Sequence, residues 1–357
     1  MDLREDLRDL KPYAPGKLMP GALKLASNEN PLGPSPKALE AIAGSVATGH
    51  LYPDGAAASL RAALSASLGV AADHILVGNG SDEILTLIAA AYIRPGDNAV
   101  TADVTFSEYN FAVRLYGGTM KFAPLKDGAF DLDAVAARID DHTRMVFLCN
   151  PNNPTGGYFP ALALETFLAR VPLSVLVVLD EAYVHYVEAA DYPQSMKLLP
   201  RHANLLVTRT FSKVYGLAAL RVGYAVASPE IIAHLGVVKQ PFNVGTLGQV
   251  AAQAALDDDA FVDQSREVNR EGLKFWSEVL TRLKLFSYPT QANFIAVRVN
   301  RDAQAVFATM ADAGVTIRPL TSFGLTDCIR ITVGTREQNH RCLKALEKAL
   351  DTVPLIR

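Results

Sequence analysis

Between Ser59 and Leu256, short apolar runs alternate with longer stretches of helical character, and few folds can accommodate that alternation. The runs are Ile75–Val77, Ala99–Ala102, Met145–Leu148, Val175–Leu179, Leu205–Thr208 and Val222–Ala227. A strand covered on one face carries apolar side chains at every second position, whereas most of these runs are Val-, Ile- and Leu-rich on both parities, the pattern of strands covered on both faces. Helical stretches between several of them imply crossover connections. The predicted architecture is a doubly wound α/β domain with a mostly parallel sheet.

After Leu256 the texture changes. A long charged helical region, Phe261–Leu285, is followed by strand-like Asn293–Val299, a helix over Ala303–Ala313, strands at Val315–Arg318 and Cys328–Val333, and a final helix from about Glu337. This mixture reads as a smaller α+β domain. A chain of 357 residues also exceeds what one hydrophobic core usually organises. The expected division is an N-terminal segment over 1–30, a large domain over 31–256 and a small domain over 257–357, with the proline-containing first thirty residues crossing from one unit to the other.

A formal net charge of −3, with a fifth of the residues charged, gives no reason to expect a nucleic-acid partner. The N-terminus MDLREDLRDLKPY lacks an apolar signal region, and no run approaches the roughly 18–20 apolar residues that span a bilayer, so a cytoplasmic protein without membrane partners is expected. Cys149, Cys328 and Cys342 are far apart and have no CxxC spacing, and the histidines form no HExxH; buried thiols and no metal site are predicted.

Ligands of open α/β sheets bind where strands end, so the residues after each run matter most. Ile75–Val77 leads into Gly78-Asn-Gly-Ser-Asp-Glu83, whose glycines permit a tight turn before a helix. That is either an anion cradle of backbone N–H groups or a plain helix cap by Ser81 or Asp82. Met145–Leu148 leads into Cys149-Asn-Pro-Asn-Asn-Pro-Thr-Gly156, where two prolines frame Asn153. Val175–Leu179 ends on Asp180, a carboxylate that is costly to bury without a partner. Leu205–Thr208 runs into RTFSKVYGLAALRVGY, with Lys213 among apolar neighbours and a cation returning at Arg221.

Taken together, Asn153-Pro-Thr-Gly156, Asp180-Glu-Ala-Tyr183 and Thr210-Phe-Ser-Lys213 with Gly216 and Arg221 resemble the fold type I pyridoxal-phosphate aminotransferases of class II. The likeness extends through Leu25-Ala-Ser-Asn-Glu-Asn-Pro-Leu-Gly33, Leu51-Tyr-Pro-Asp-Gly55, Pro241-Phe-Asn-Val244 and Cys328-Ile-Arg-Ile-Thr-Val-Gly-Thr-Arg336, so that essentially the whole chain resembles the histidinol-phosphate aminotransferase family.

The resemblance implies pyridoxal 5'-phosphate held as a Schiff base on Lys213, which then serves as the base at the substrate Cα, with its pKa lowered by desolvation and neighbouring cations. It implies Asp180 at the pyridine nitrogen, Tyr183 and Asn153 at the ring's phenolate oxygen, and Phe106 stacked on the ring. The cofactor phosphate is expected against Gly80, Ser81, Asp82, Thr210, Ser212 and Arg221, with Tyr52 reaching the neighbouring subunit's cofactor in a homodimer. Arg330, Arg318, Tyr13 and Asn30 are the expected substrate-binding residues. The implied reaction is a ping-pong exchange between L-histidinol phosphate and 2-oxoglutarate, as amino donor and 2-oxo acid acceptor, through a pyridoxamine-phosphate form.

Two alternatives stay open within the cofactor class, an aromatic amino-acid aminotransferase and a non-catalytic pyridoxal-phosphate-sensing module, because fold and cofactor do not set the substrate. A sensing module would normally accompany a basic winged-helix domain, and none is expected here. A nicotinamide-dependent dehydrogenase would need a complete GxGxxG fingerprint, which is missing.

Overall fold

The structure, a computed structural model, describes residues 2–8, 10 and 20–356. Each both-face apolar run forms a buried strand of one seven-stranded sheet. Across the sheet the strands are Ile75–Gly78, Gly223–Val226, Leu205–Thr210, Leu176–Asp180, Thr143–Cys149, Asn98–Ala102 and Thr119–Ala123. Gly223–Val226 is antiparallel to both neighbours, and the other adjacent pairs are parallel. The six predicted runs are all present, which confirms the α/β class with a mostly parallel sheet.

Thr119–Ala123 is the strand of this sheet that the sequence pattern does not reveal. It lies at the sheet edge, only Ala123 is buried, and its T-M-K-F-A pattern lacks the two-sided apolar signature. The predicted Val315–Arg318 strand is two pieces: Val315–Thr316 pairs with Leu23–Lys24, and Arg318–Pro319 pairs with Cys328–Thr332. The chain changes partner at the buried Ile317.

The C-terminal region supplies a four-stranded antiparallel sheet in the order Phe286–Ser287, Phe294–Arg298, Cys328–Thr332, Arg318–Pro319. The helices Asp259–Leu283, Ala303–Asp312 and Arg336–Thr352 pack around a second apolar core that includes the fully buried Trp276. Helix Arg336–Thr352 starts with a capping box between Thr335 and Gln338. Leu25 joins this second core and hydrogen-bonds to Thr316 and Thr332 through its backbone. A few residues later, Asn30 donates to the Val214 carbonyl in the loop after the Leu205–Thr210 strand. The segment around residues 23–30 therefore ties the small sheet to the large one.

Among the described residues no helix is long and apolar enough to cross a membrane. All three cysteines are buried free thiols, as predicted.

Gly216 closes the turn between Lys213 and Arg221 with φ of +68°, and a Cβ there would lie 2.0 Å from the Gly33 carbonyl oxygen. Both the conformation and the contact demand glycine. Gly216→Ala should destabilise the protein by at least about 1–2 kcal/mol, read as a lower urea midpoint, with Gly44→Ala, where a Cβ meets open space, as the control.

Candidate active site

The five parallel strands that begin at Ile75, Asn98, Thr143, Leu176 and Leu205 deliver their C-terminal loops to one edge of the sheet, and the reversed strand brings Arg221 to the same edge just before Gly223. Those loops, the 26–29 segment and the small sheet enclose a cavity of about 470 Å³, in the usual range for a small-molecule site.

At the floor, Asp180 ends the central strand and is buried. Tyr109 Oη donates to its Oδ2 at 2.7 Å, and the Ala182 N–H donates to Oδ1 at 3.2 Å. Burial pushes the carboxyl up to about 6, against the opposing pull of the Tyr109 hydrogen bond. The neighbouring Thr208 Oγ1 is buried without a hydrogen-bond partner among the described residues.

Lys213 Nζ reaches into the same cavity, 3.2 Å from the Ser27 carbonyl oxygen and 5.8 Å from the centre of the Tyr183 ring. Desolvation first, and the Arg330 cation second, lower its pKa to about 8, so the neutral amine is far more populated near physiological pH than for an ordinary lysine. The predicted electrostatic setting of this lysine is present.

One wall of the cavity has the makings of an anion site. Helix Gly80–Tyr92 has no side-chain cap at Asn79, and Ser81 and Asp82 of its first turn line the cavity; the first-turn N–H groups of a helix lack intrahelical partners and suit an anion. Gly80 has φ of +80°, and a Cβ there would fall 2.6 Å from Arg221 Nη2. The missing side chain is what lets the guanidinium approach. Arg221 Nη2 donates to Asp82 Oδ2 at 3.0 Å and Nη1 to Ser212 Oγ at 3.4 Å, while the Thr210 hydroxyl donates to Ser212 Oγ at 3.0 Å.

The opposite wall belongs to the small sheet. Arg318 and Arg330 are directly opposite in the antiparallel register and both line the cavity. Arg330 donates to Asn153 Oδ1 and to the Ala26 carbonyl at 2.9 Å, and its guanidinium sits 5.2 Å over the Phe294 ring. Asn153 is presented by a loop in which both X–Pro bonds are cis. Phe106 lines the cavity as well.

Ser81, Asp82, Phe106, Asn153, Asp180, Tyr183, Thr210, Ser212, Lys213, Arg221, Arg318 and Arg330 thus converge on one cavity. Asn30 does not line it. Its amide donates to the Val214 carbonyl and to Ser265 Oγ, which makes it a brace for the Lys213 loop rather than a cavity-wall residue. Tyr52 is 82 % exposed and stacks on Phe242 at 4.8 Å, away from the cavity of its own chain. Tyr13 lies outside the described residues. The sequence reading missed Asn28, which donates to Tyr183 Oη at 2.9 Å from a left-handed backbone conformation that asparagine tolerates. It also missed Tyr109, three residues beyond Phe106.

The model of class I and II aminotransferases matches residues 20–346. The chain belongs to that family. Among its relatives, the histidinol-phosphate aminotransferase of Moorella thermoacetica is 49 % identical, over 97 % of this chain and 92 % of the relative. That of Halalkalibacterium halodurans is 45 % identical over 98 % of this chain and 97 % of its own. The crystal structure of histidinol-phosphate aminotransferase from Sinorhizobium meliloti in complex with pyridoxal-5'-phosphate superposes with a TM-score of 0.87 at 29 % identity, covering 93 % of this chain and 91 % of that one. An aspartate aminotransferase from Thermus thermophilus, 23 % identical at a TM-score of 0.85, shares the fold. The doubly wound architecture anticipated from the strand pattern, and the fold type I class that the resemblance implied, are those of the aminotransferase family.

The Lys213 environment carries a direct test. In the full-length protein without added cofactor, amine-reactive labelling traced to Lys213 by peptide mass mapping should rise with pH through an inflection near 8. Arg330 disfavours the charged amine, so Arg330→Met should move the inflection to higher pH.

Proposed function

We propose that this aminotransferase interconverts L-histidinol phosphate and 2-oxoglutarate with imidazole acetol phosphate and L-glutamate, in a ping-pong exchange dependent on pyridoxal 5'-phosphate. The observation that carries the reading is one cavity in which a lysine amine, lowered to about 8, stands between a buried carboxylate and two guanidinium-bearing walls. Relatives that bear this activity's name are 41–49 % identical over nearly the whole chain.

The residues present fit the cofactor. The cradle of Ser81, Asp82, Thr210, Ser212 and Arg221, open because Gly80 has no Cβ, suits a phosphate dianion. Asp180 suits a protonated ring nitrogen, Phe106 a ring face, and Tyr183 and Asn153 a phenolate oxygen. When bound, the cofactor supplies an electrophilic aldehyde and an electron-withdrawing ring for the charge that develops at the substrate Cα.

The chain's own residues do the rest. Lys213 would hold the aldehyde and, once released from it, would take the Cα proton onto Nζ and give it up again within the same half-reaction, the second half-reaction running that transfer in reverse; an amine near 8 is matched to that task. Tyr183 Oη, anchored by Asn28, is pushed above its ordinary value by burial, so it stays protonated and donates. Arg330 and Arg318 provide the positive wall for the substrate phosphate in one half-reaction and for a carboxylate in the other. The 26–29 segment and the small sheet cover the cavity and limit water.

The protein works as a cytoplasmic homodimer in this reading. The exposed stack of Tyr52 on Phe242 supports it, since a large aromatic side chain at 82 % exposure is a natural reach toward a second copy's cofactor phosphate. The domain division at about residues 30 and 256 is likewise part of the proposal, supported by the two separate apolar cores.

Loaded protein treated with borohydride should carry the cofactor on the Lys213 peptide, and Lys213→Ala should carry none. Single-turnover consumption of the bound cofactor's visible absorption should be far faster with L-histidinol phosphate than with L-phenylalanine. Equal rates would replace the substrate assignment with the aromatic one, and no reaction with either would replace it with a sensing role. Asp180→Asn should retain the cofactor and lower kcat by about 10²–10³-fold, the usual effect of removing one preorganised electrostatic partner.

A further inference from the structure

Tyr109 has no role in the chemistry described so far, yet its placement is closely constrained. It is fully buried in the first turn of helix Glu108–Leu115, stacked on Phe147 at 4.9 Å and 10° and met edge-on by Phe106 at 5.6 Å and 84°. Its Oη lies 2.7 Å from Asp180 Oδ2. The loop that leads to it is fastened to the Asn153 loop: Thr105 Oγ1 donates to Asn152 Oδ1 at 2.8 Å, and Asn152 Nδ2 donates to the Val104 carbonyl at 3.0 Å. The phenol cannot swing away without breaking that packing.

We propose that Tyr109 is a positioning residue that acts through Asp180, donating from its phenol so that the carboxylate keeps one orientation and keeps its charge. The entry to this helix then does two jobs. Phe106 faces the cavity as a ring, and three residues on Tyr109 reaches the carboxylate beneath it. The inference rests on the cofactor reading for its catalytic meaning, while the Tyr109–Asp180 linkage itself does not.

Chemistry supports the direction of the bond. Burial, and then the Asp180 charge, push the phenol well above its ordinary value, so it remains a donor at any working pH. The other groups that face Asp180 are Asp82 from helix Gly80–Tyr92, Cys149 from the adjacent strand, the Thr208 hydroxyl from the strand on the other side, and Tyr183 and Tyr192 from the loops that follow. Asp82 raises the carboxyl further, and burial keeps the Cys149 thiol neutral at about 12. With burial and a like charge both favouring the proton, the Tyr109 donor first and the Ala182 N–H second favour the charged carboxylate, with a smaller pull from the nearby Thr208 hydroxyl.

The test is Tyr109→Phe in the full-length protein, read in two ways. Infrared difference spectra of the protonated carboxyl band, assigned by its loss in Asp180→Asn, follow the titration of Asp180 without cofactor. Loss of a hydrogen bond to a charged group should move that titration up by about one to two pH units. In the loaded enzyme the acid limb of kcat should move up by a similar amount, with KM little changed and activity recovering at higher pH. Should Tyr109→Phe fail to fold, 3-fluorotyrosine at position 109 keeps the shape and strengthens the donor, and the Asp180 titration should then move down. An unchanged titration in a folded variant, or an acid-limb shift that persists in an Asp180→Asn background, would overturn the proposal and leave Tyr109 a packing residue. Failure of the cofactor reading would silence the kcat arm alone, since the infrared arm needs no cofactor.

Discussion

A carboxylate is held out of water at the end of the central strand of seven, and the site is arranged around the cost of keeping it there. An isolated charge in such a place would neutralise itself. Asp180 does not stand isolated: a phenol and a backbone N–H donate to its two oxygens, and the space beyond it opens into a cavity with cations on its walls. The next residue, Glu181, is also buried and meets Arg209 at 2.8 Å and Ser195 at 2.9 Å. Two successive carboxylates are thus turned to opposite tasks, one toward the cavity and one into an ion pair that anchors the neighbouring strand, whose loss would leave an uncompensated charge in the core.

The reversed strand Gly223–Val226 is the second constraint. Had it run parallel to its neighbours, Arg221 would have entered from the far edge of the sheet. Because it is antiparallel, the chain leaves the Leu205–Thr210 strand, places Lys213, turns at Gly216 and returns Arg221 beside Ser212, all at one edge. The amine and the guanidinium are eight residues apart in sequence and occupy two ends of one cavity.

Much of this was legible in the chain. Strand interiors announced themselves through apolar residues on both parities, and the chemistry-bearing side chains followed directly on strand ends, where local connectivity alone puts them. The half-exposed edge strand Thr119–Ala123 escaped because edge position removes one apolar face. Asn30, expected at the substrate, faces the Lys213 loop instead of the cavity, while the left-handed Asn28 two residues earlier lines it. Residues so close in sequence can be separated only by backbone conformation.

By itself the sequence indicated the fold class through its periodicity, and its motifs, through their resemblance to a family, singled out Lys213, Asp180 and the loops around Gly80 and Thr210 as candidates, since such signals depend on neighbours a few residues away. The tertiary structure decided who meets whom. Tyr109 reaches Asp180 across 71 residues, Asn28 reaches Tyr183 across 155, and Arg330 reaches Asn153 across 177. Such pairings are set by sheet register and by the docking of the small sheet over the large one, and no local propensity encodes them. The pKa values follow the same rule. Lysine at about 8 and aspartate at about 6 are properties of burial and of distant charges, created when the chain closes the cavity around them.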